Sequence, residues 1–356
     1  MELFKNILPF NRQTVDNPSI ELVTETFAAN PQSVILPTTR MVLERATHVH
    51  LDDDNIANLA DRFSVVEGEN NPPTWSEDDL QRHFFDGTSR TAEWLFVLSA
   101  LNFSFWTENG HTPWTVRYND ETLKGYWALA TALKMAQESG QNLANADFLR
   151  SLTSTSLAQL LGGSGDIPYL QKRVEVLNET GEVLANKFDG EFINVIEEAN
   201  RSAIKLANTV ALNFPSFYDV ADYHGLKVAF LKRAQILAAD LWGAFGGLGW
   251  GQFDDMDKLT IFADYRLPQM LNGFGAIHYS ADLFDKIQKE ELLPAGSDEE
   301  IEIRAATVQA ANRLKDILAA RGIAANALAI DWWLWRETQS IAATLPPHHK
   351  TRTWFY

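Results

Sequence analysis

Phe262-Ala263-Asp264-Tyr265-Arg266-Leu267-Pro268-Gln269 sets one carboxylate inside an apolar, aromatic run and follows it four residues later with a proline. In a helix, Pro268 has no N–H to return to the carbonyl of Asp264, and its ring crowds that carbonyl. A helix through this segment must therefore kink or restart beside Asp264, leaving a backbone acceptor and a carboxylate close together. Interruptions of this kind cost free energy and gather where function requires them. The competing structural reading is a kink with a capping aspartate.

A second stretch points the same way. Ala327-Leu328-Ala329-Ile330-Asp331-Trp332-Trp333-Leu334-Trp335 is apolar except for Asp331. Spread around a helix it leaves no polar face, so burial is expected. A buried carboxylate must be hydrogen-bonded, paired with a cation or protonated. Two carboxylates in aromatic surroundings suggest a pocket for a flat and partly cationic ligand. The alternative is a structural ion pair, with Asp331 held by an arginine from another helix.

Around these segments, helix follows helix. Asp120 precedes Glu121-Thr122-Leu123, and the run from Tyr126 to Met135 favours helix until Gly140 stops it. Ser297-Asp298-Glu299-Glu300 has capping-box spacing and opens a helix that Gly322 ends, with Ile303, Val308, Leu314 and Ile317 at helical intervals. Further helices are expected near 38–48, 53–64, 88–105, 145–161, 189–213, 226–244 and 326–343. Thr115-Val116-Arg117-Tyr118 reads as a short strand. Loops are expected at 67–75, 162–168 and 243–255, none long enough to separate domains. The expected fold is all-α, one helical globule spanning 1–356.

Composition narrows the function. A formal charge of −17 argues against a surface that grips nucleic-acid phosphates, although local basic residues can still hold one phosphate. Cysteine is absent, which removes disulfides, thiolate catalysis and zinc–thiolate sites. The histidines at 48, 50, 83, 111, 224, 278, 348 and 349 form no His-x-x-x-His or His-Glu-x-x-His arrangement, so no metal site is expected. Met1-Glu2-Leu3-Phe4-Lys5-Asn6 lacks the character of a signal peptide, and no apolar run of about 18 residues appears. A cytoplasmic protein with no membrane span is expected.

Two motifs invite overreading. Gly246-Gly247-Leu248-Gly249-Trp250-Gly251 lacks the Gly-Lys-Ser/Thr ending of a P-loop and does not fit Gly-x-Gly-x-x-Gly after a strand; a tight helix–hairpin–helix turn fits better. Lys232-Arg233 places two cations about 100° apart on an otherwise apolar helix. Surface solvation or pairing with Asp240 is their usual role, and anion binding follows only if the helix borders the pocket.

Taken together, the motifs resemble the queuosine salvage proteins, the queuosine 5′-phosphate N-glycosylase/hydrolases. The resemblance covers nearly the whole chain. It is carried by Asn102-Phe103-Ser104-Phe105-Trp106, Phe214-Pro215-Ser216-Phe217-Tyr218-Asp219, Phe230-Leu231-Lys232-Arg233-Ala234-Gln235-Ile236, the segment from Leu259 to Gln269, Ile330-Asp331-Trp332-Trp333-Leu334-Trp335, and the terminal Pro347 to Tyr356. It implies an all-helical fold related to helix–hairpin–helix DNA glycosylases, acting on a mononucleotide without metal or redox cofactor. It implies release of queuine from queuosine 5′-monophosphate, with Asp264 catalytic, Phe262 against the base, Asp331 hydrogen-bonded to the base and Trp332 as its aromatic neighbour. A base-contacting histidine falls on His48. The position after Trp335 is often acidic in the family and is Arg336 here, which bears on recognition of the queuine side chain.

The chemistry suits these residues independently. Queuine is a flat deazaguanine on which aromatic rings can stack, and its ring N–H and amino group suit a carboxylate. Its side chain carries an ammonium favoured by an acidic pocket. Glycosidic cleavage builds positive charge on the ribose. Asp264 can stabilise that charge, attack C1′ or activate water, and the sequence leaves all three open. Lys232 is the candidate donor to the 5′-phosphate, with the basic tail around His349, Lys350 and Arg352 as the other source. The substrate is expected to be this small molecule and not nucleic acid, and the protein to act as a monomer. The alternative function is a non-catalytic helical module that binds a purine-like ligand or a partner helix in an aromatic groove.

Overall fold

The computed structural model describes residues 30–63 and 74–356. The N-terminal hexapeptide, most of the 67–75 loop and the last position of the 53–64 helix lie outside the described residues. The helices are α1 (Ile35–Leu43), α2 (Asp53–Arg62), α3 (Glu77–Arg82), α4 (Ser89–Leu101) and α5 (Gly125–Glu138). They continue with α6 (Ala146–Ser151), α7 (Ser154–Leu161), α8 (Leu170–Lys187), α9 (Phe192–Ala199) and α10 (Ala203–Asn213). The last five are α11 (Lys232–Phe245), α12 (Arg266–Gly273), α13 (Ala281–Gln288), α14 (Asp298–Ala320) and α15 (Ala327–Ile341). Strands are few, short and paired two by two, so helix dominates as expected.

Departures from the expected elements have local causes. Glu121–Lys124 is a strand (β3) paired antiparallel with Thr115–Tyr118 (β2), not the start of a helix. Asn119 and Asp120 between them both have positive φ, the geometry of a tight hairpin turn. Leu226–Ala229 is likewise a strand, joined through His224 and Gly225 to Val220–Tyr223, so the helix expected over 226–244 begins only at Lys232. The 145–161 and 189–213 helices are each two, broken at Thr153, which caps α7, and at Asn200, which turns left-handed. The glycine run ends α11 at Gly246 and leads through a short 3-10 turn into extended chain, not into a second helix.

A large apolar core runs through the described residues, with a small second cluster of Trp106, Tyr265 and Tyr356. Through the large core passes α14, packed on α1, α2, α12 and α15. Its Ser297 Oγ accepts from the Glu300 N–H, whereas the Glu300 side chain accepts from Gly296, so only half of the expected capping box forms.

Buried arginines anchor the elements that reach the site. Arg173 of α8 donates to the carbonyls of Leu101 (2.5 Å) and Phe103 (2.7 Å). Arg233 of α11 donates to those of Ala100 (2.5 Å) and Ser216. Their two guanidiniums occupy the carbonyl-rich end of α4, where the helix dipole favours cations. Arg304 of α14 makes a bidentate pair with Asp219 (2.8 and 2.6 Å) and lies between the rings of Phe230 and Tyr356. Arg233 and Lys232 are both buried, which corrects the expectation of surface solvation.

Candidate active site

The segment before α12 is extended, and α12 starts at Arg266 with Pro268 in its first turn, where the missing N–H costs nothing. The helix thus restarts beside Asp264. Its Oδ1 accepts the N–H groups of Arg266 (2.8 Å) and Leu267 (2.9 Å). These bonds satisfy two of the four unpaired donors at the helix start and fix the carboxylate's orientation.

Asp331, on α15, reaches the same place. Its Oδ2 accepts from the backbone N–H of Phe262 (2.8 Å), two residues before Asp264. Burial holds the Asp331 carboxyl well above the usual carboxylate range, opposed by the Phe262 hydrogen bond and raised further by neighbouring Asp264. Among the described residues it forms no ion pair with arginine. The nearby cation is Lys232, whose Nζ donates to the carbonyl (3.1 Å) and side-chain oxygen (3.3 Å) of Asn102. Burial lowers its pKa to about 8, with Asp264 and Asp331 working in the opposite direction.

The Asp219–Arg304 pair supports both sides of this arrangement. Asp219 Oδ2 accepts the N–H of Lys232 (3.1 Å), and Arg304 Nε donates to the carbonyl of Ala263 (3.3 Å). The start of α11 and the segment bearing Asp264 are therefore tied to one buried ion pair.

These groups line a cavity of about 490 Å³. Aromatic residues form much of its wall, among them Trp75, Trp106, Tyr126, Trp332 and Trp335. Gly243 allows the wall to close, because a Cβ there would lie 2.8 Å from Trp75 and 2.9 Å from Trp332. His83 stacks on Trp75 with ring centroids 4.1 Å apart. Burial lowers the His83 pKa to about 4, so the ring is neutral near pH 7. Its Nδ1 lies 2.7 Å from the Asp79 carbonyl and must donate, which leaves Nε2 to accept from the Tyr126 hydroxyl at 2.7 Å.

The two ends of the cavity differ in charge. At one, Arg266 lies over the ring of Tyr265, the His348 ring packs 4.5 Å from it, and Lys350 is close enough to act on His348. Lys350 pairs with Glu290 at 3.0 Å, and burial holds His348 neutral with a pKa of about 4. At the other are Asp79 and Asp240, with Arg336 reaching Asp79 at 3.3 Å and lying over the Trp332 ring.

Of the residues singled out from sequence, Phe262, Asp264, Asp331, Trp332, Arg336 and Lys232 all border this cavity. His48 does not border it. It precedes strand β1 (Val49–Leu51), its backbone N–H donates to Glu302 (2.6 Å), and its carbonyl accepts from Ser280. His83 and His348 are the histidines that border the cavity, and Trp75, Asp79, Asn102, Tyr126 and Asp240 also border it without being singled out as site residues by the sequence. His349 is buried, and Arg352 pairs with Glu108 (2.9 and 2.5 Å), leaving Lys350 as the tail's cation at the cavity. A larger hollow of about 870 Å³ adjoins α10 and borders none of the candidate residues. No cluster of three or more His, Asp or Glu suited to a metal occurs among the described residues.

Fold and cavity together define a helical protein with a cavity walled by aromatic rings and bordered by the carboxylates of Asp264 and Asp331. The queuosine salvage protein family model matches residues 82–356. The chain is 45% identical over 322 residues to the queuosine 5′-phosphate N-glycosylase/hydrolase of Sphaerobacter thermophilus, covering 90% of this chain and 97% of that one. It is 36% identical to the proteins of that name from Nematostella vectensis, over 80% of this chain and 86% of the relative, and from Mus musculus, over 90% and 97%. The chain belongs to the queuosine salvage protein family.

Proposed function

We propose that this protein hydrolyses the N-glycosidic bond of queuosine 5′-monophosphate and releases queuine for salvage. The observation that carries the reading is the meeting of Asp264, Asp331 and Lys232 in one aromatic-walled cavity. Asp264 is the catalytic carboxylate. Its Oδ1 is engaged by two backbone N–H groups, so Oδ2 is the oxygen available to the ribose. As the C1′–N bond breaks, its electron pair stays on the base nitrogen, which takes a proton; water supplies the hydroxyl added at C1′. A fixed carboxylate beside the developing ribose cation lowers the barrier without reorganising.

Asp331 accepts from the base edge, and Phe262, Trp332 and the other rings stack on the base. A deazapurine lacks the ring nitrogen that an acid would protonate, so help for the leaving group comes from hydrogen bonds elsewhere on the base. The end of the cavity with Arg266 and Lys350 suits the 5′-phosphate. Lys232, buried and within electrostatic reach of Asp264 and Asp331, is better placed to favour the charged form of those carboxylates. The same reading includes a single domain over 1–356, kinship of fold with helix–hairpin–helix DNA glycosylases, a cytoplasmic monomer, and a mononucleotide in place of nucleic acid. No described helix is long and apolar enough to cross a membrane.

The test is incubation of purified protein with queuosine 5′-monophosphate and detection of free queuine. Queuine release that Asp264→Asn abolishes is expected; ligand binding without release would favour the non-catalytic alternative. Comparing kcat/KM for the nucleotide and the nucleoside tests the phosphate preference, and equal efficiencies would reject it. If Lys232→Ala alone erased that preference, the phosphate would belong with Lys232 and not with Arg266 and Lys350.

A further inference from the structure

Helix α11 presents Lys232, Ile236 and Asp240 to the cavity, four residues apart and so on one face. Eight residues span about 12 Å of helix. One helix face therefore sets a cation near Asp264 and an acid well away from it.

Asp240 differs from every other buried acid among the described residues. Glu93 accepts from the Phe192 and Ile193 N–H groups, and Glu302 from those of Thr47, His48 and Val49. Asp219 and Glu300 meet Arg304, and Asp331 accepts from Phe262. Asp240 is only 8% exposed, and its Oδ2 is closed off from solvent without a hydrogen-bond partner. Burial pushes this carboxyl up to about 7; Lys232 opposes the rise and Asp79 adds to it. Placing an unpaired carboxylate here is costly unless a cation or donor arrives with a ligand.

The surroundings say which kind of group fits. Trp75, Tyr126, Trp332 and Trp335 supply ring faces that attract cations. The second acid at this end, Asp79, already has Arg336 and the Ser76 hydroxyl. Asp240 is thus the acid left for the ligand.

We propose that Asp240 is a specificity determinant that pairs with an ammonium group carried on the base, at the end of the cavity away from the ribose. This rests on the glycosidase reading, since that reading places the sugar at Asp264. The site then selects flat bases bearing a cationic substituent over the same ring without one. The protein's own Arg336 does not repel the ligand, because Asp79 neutralises it.

The experiment compares queuosine 5′-monophosphate with 7-deazaguanosine 5′-monophosphate, which has the same ring and no amine. Both are given to wild type and Asp240→Asn, a substitution that keeps shape and removes the charge. The variant is expected to lower kcat/KM for queuosine 5′-monophosphate by about tenfold to a hundredfold more than for the unsubstituted nucleotide. Equal losses on both, or no loss on either, would overturn the assignment. Tryptophan fluorescence with queuine and with 7-deazaguanine gives a second arm independent of turnover. There the wild type should prefer queuine and the variant should lose that preference; a retained preference would overturn the proposal. Failure of the wild type to cleave either nucleotide would reject the glycosidase reading, and the binding arm would still decide the role of Asp240.

Discussion

Asp219, bonded to the first N–H of α11, and Asp240, within that helix, are both buried acids, at 2% and 8% exposure, and the fold treats them in opposite ways. Asp219 is saturated: it takes two bonds from Arg304 and one from the Lys232 N–H. Asp240 has an oxygen with no partner and borders the cavity. Asp264 and Asp331 lie between these extremes, each using one oxygen to hold backbone while facing the cavity. Burial alone therefore does not mark a working acid. Spare bonding capacity on a residue that borders a cavity does, and the saturated pair behind it holds the working groups in place.

That contrast can be broken first at its structural side. Arg304→Met strands Asp219 without its cation, and breaking a buried pair from one side costs about 3–5 kcal/mol. Denaturant unfolding should show a loss of this size, and an unchanged midpoint would mean that the pair is no anchor. Next comes Asp264→Asn, expected to reduce queuine release by roughly 10²–10³, or about 2.7–4 kcal/mol, with fold and ligand binding nearly intact. Turnover near wild type in single-turnover assays would remove Asp264 from the chemistry.

Asp331→Ala should weaken both ligand binding and turnover, by about 1.5–3 kcal/mol in binding. Calorimetric titration with queuine checks this, and wild-type affinity would reduce Asp331 to a strut for the Phe262 backbone. The smallest effect concerns Asp240 and has the opposite sign. Its folded pKa of about 7 lies above the ordinary 3.8, so the native state keeps this proton where the unfolded chain has lost it. Its contribution to stability is therefore full below pH about 4, falls as pH rises to about 7 and is flat above. Asp240→Asn removes that decline and should be more stable than wild type at pH 8 by about 1 kcal/mol or more. A stability–pH profile parallel to that of the wild type would show that Asp240 is not the unpaired acid inferred here.

The parts of the fold legible in the sequence were those set by local rules. Pro268 forces a helix to restart near Asp264, and a lone acid in the Asp331 segment forces burial with a partner; both follow from neighbours in sequence. The hairpin at Asn119-Asp120 obeys local rules too, but Asp120 suits a helix cap equally well, and only pairing with Thr115–Tyr118 decides it. Helix α8 was not expected, for its Asn178, Thr180 and Gly181 are weak helix formers. Gly181 is there for packing, since a Cβ would lie 2.5 Å from the Ala146 carbonyl of α6. The sequence does not mark His83 and Asp240 as site residues, because their character is set by burial and by what the folded chain packs around them. His83 gains its role from Trp75 and Tyr126, and nothing near Asp240 in sequence says that its oxygen will lack a partner. His48 carries a resemblance of position only; its backbone is committed to Glu302.

The cavity wall draws on Trp75 and Asp79 from early in the chain, Lys232 and Asp264 from the middle, and His348 and Tyr356 from far along it. A molecule seated there acts as a non-covalent staple across segments that the core and a few hydrogen bonds already join. Occupancy should raise resistance to unfolding and proteolysis by mass action, about 2.7 kcal/mol at a hundredfold excess over Kd. Supply of its own nucleotide would then govern how long the enzyme survives as well as how fast it works.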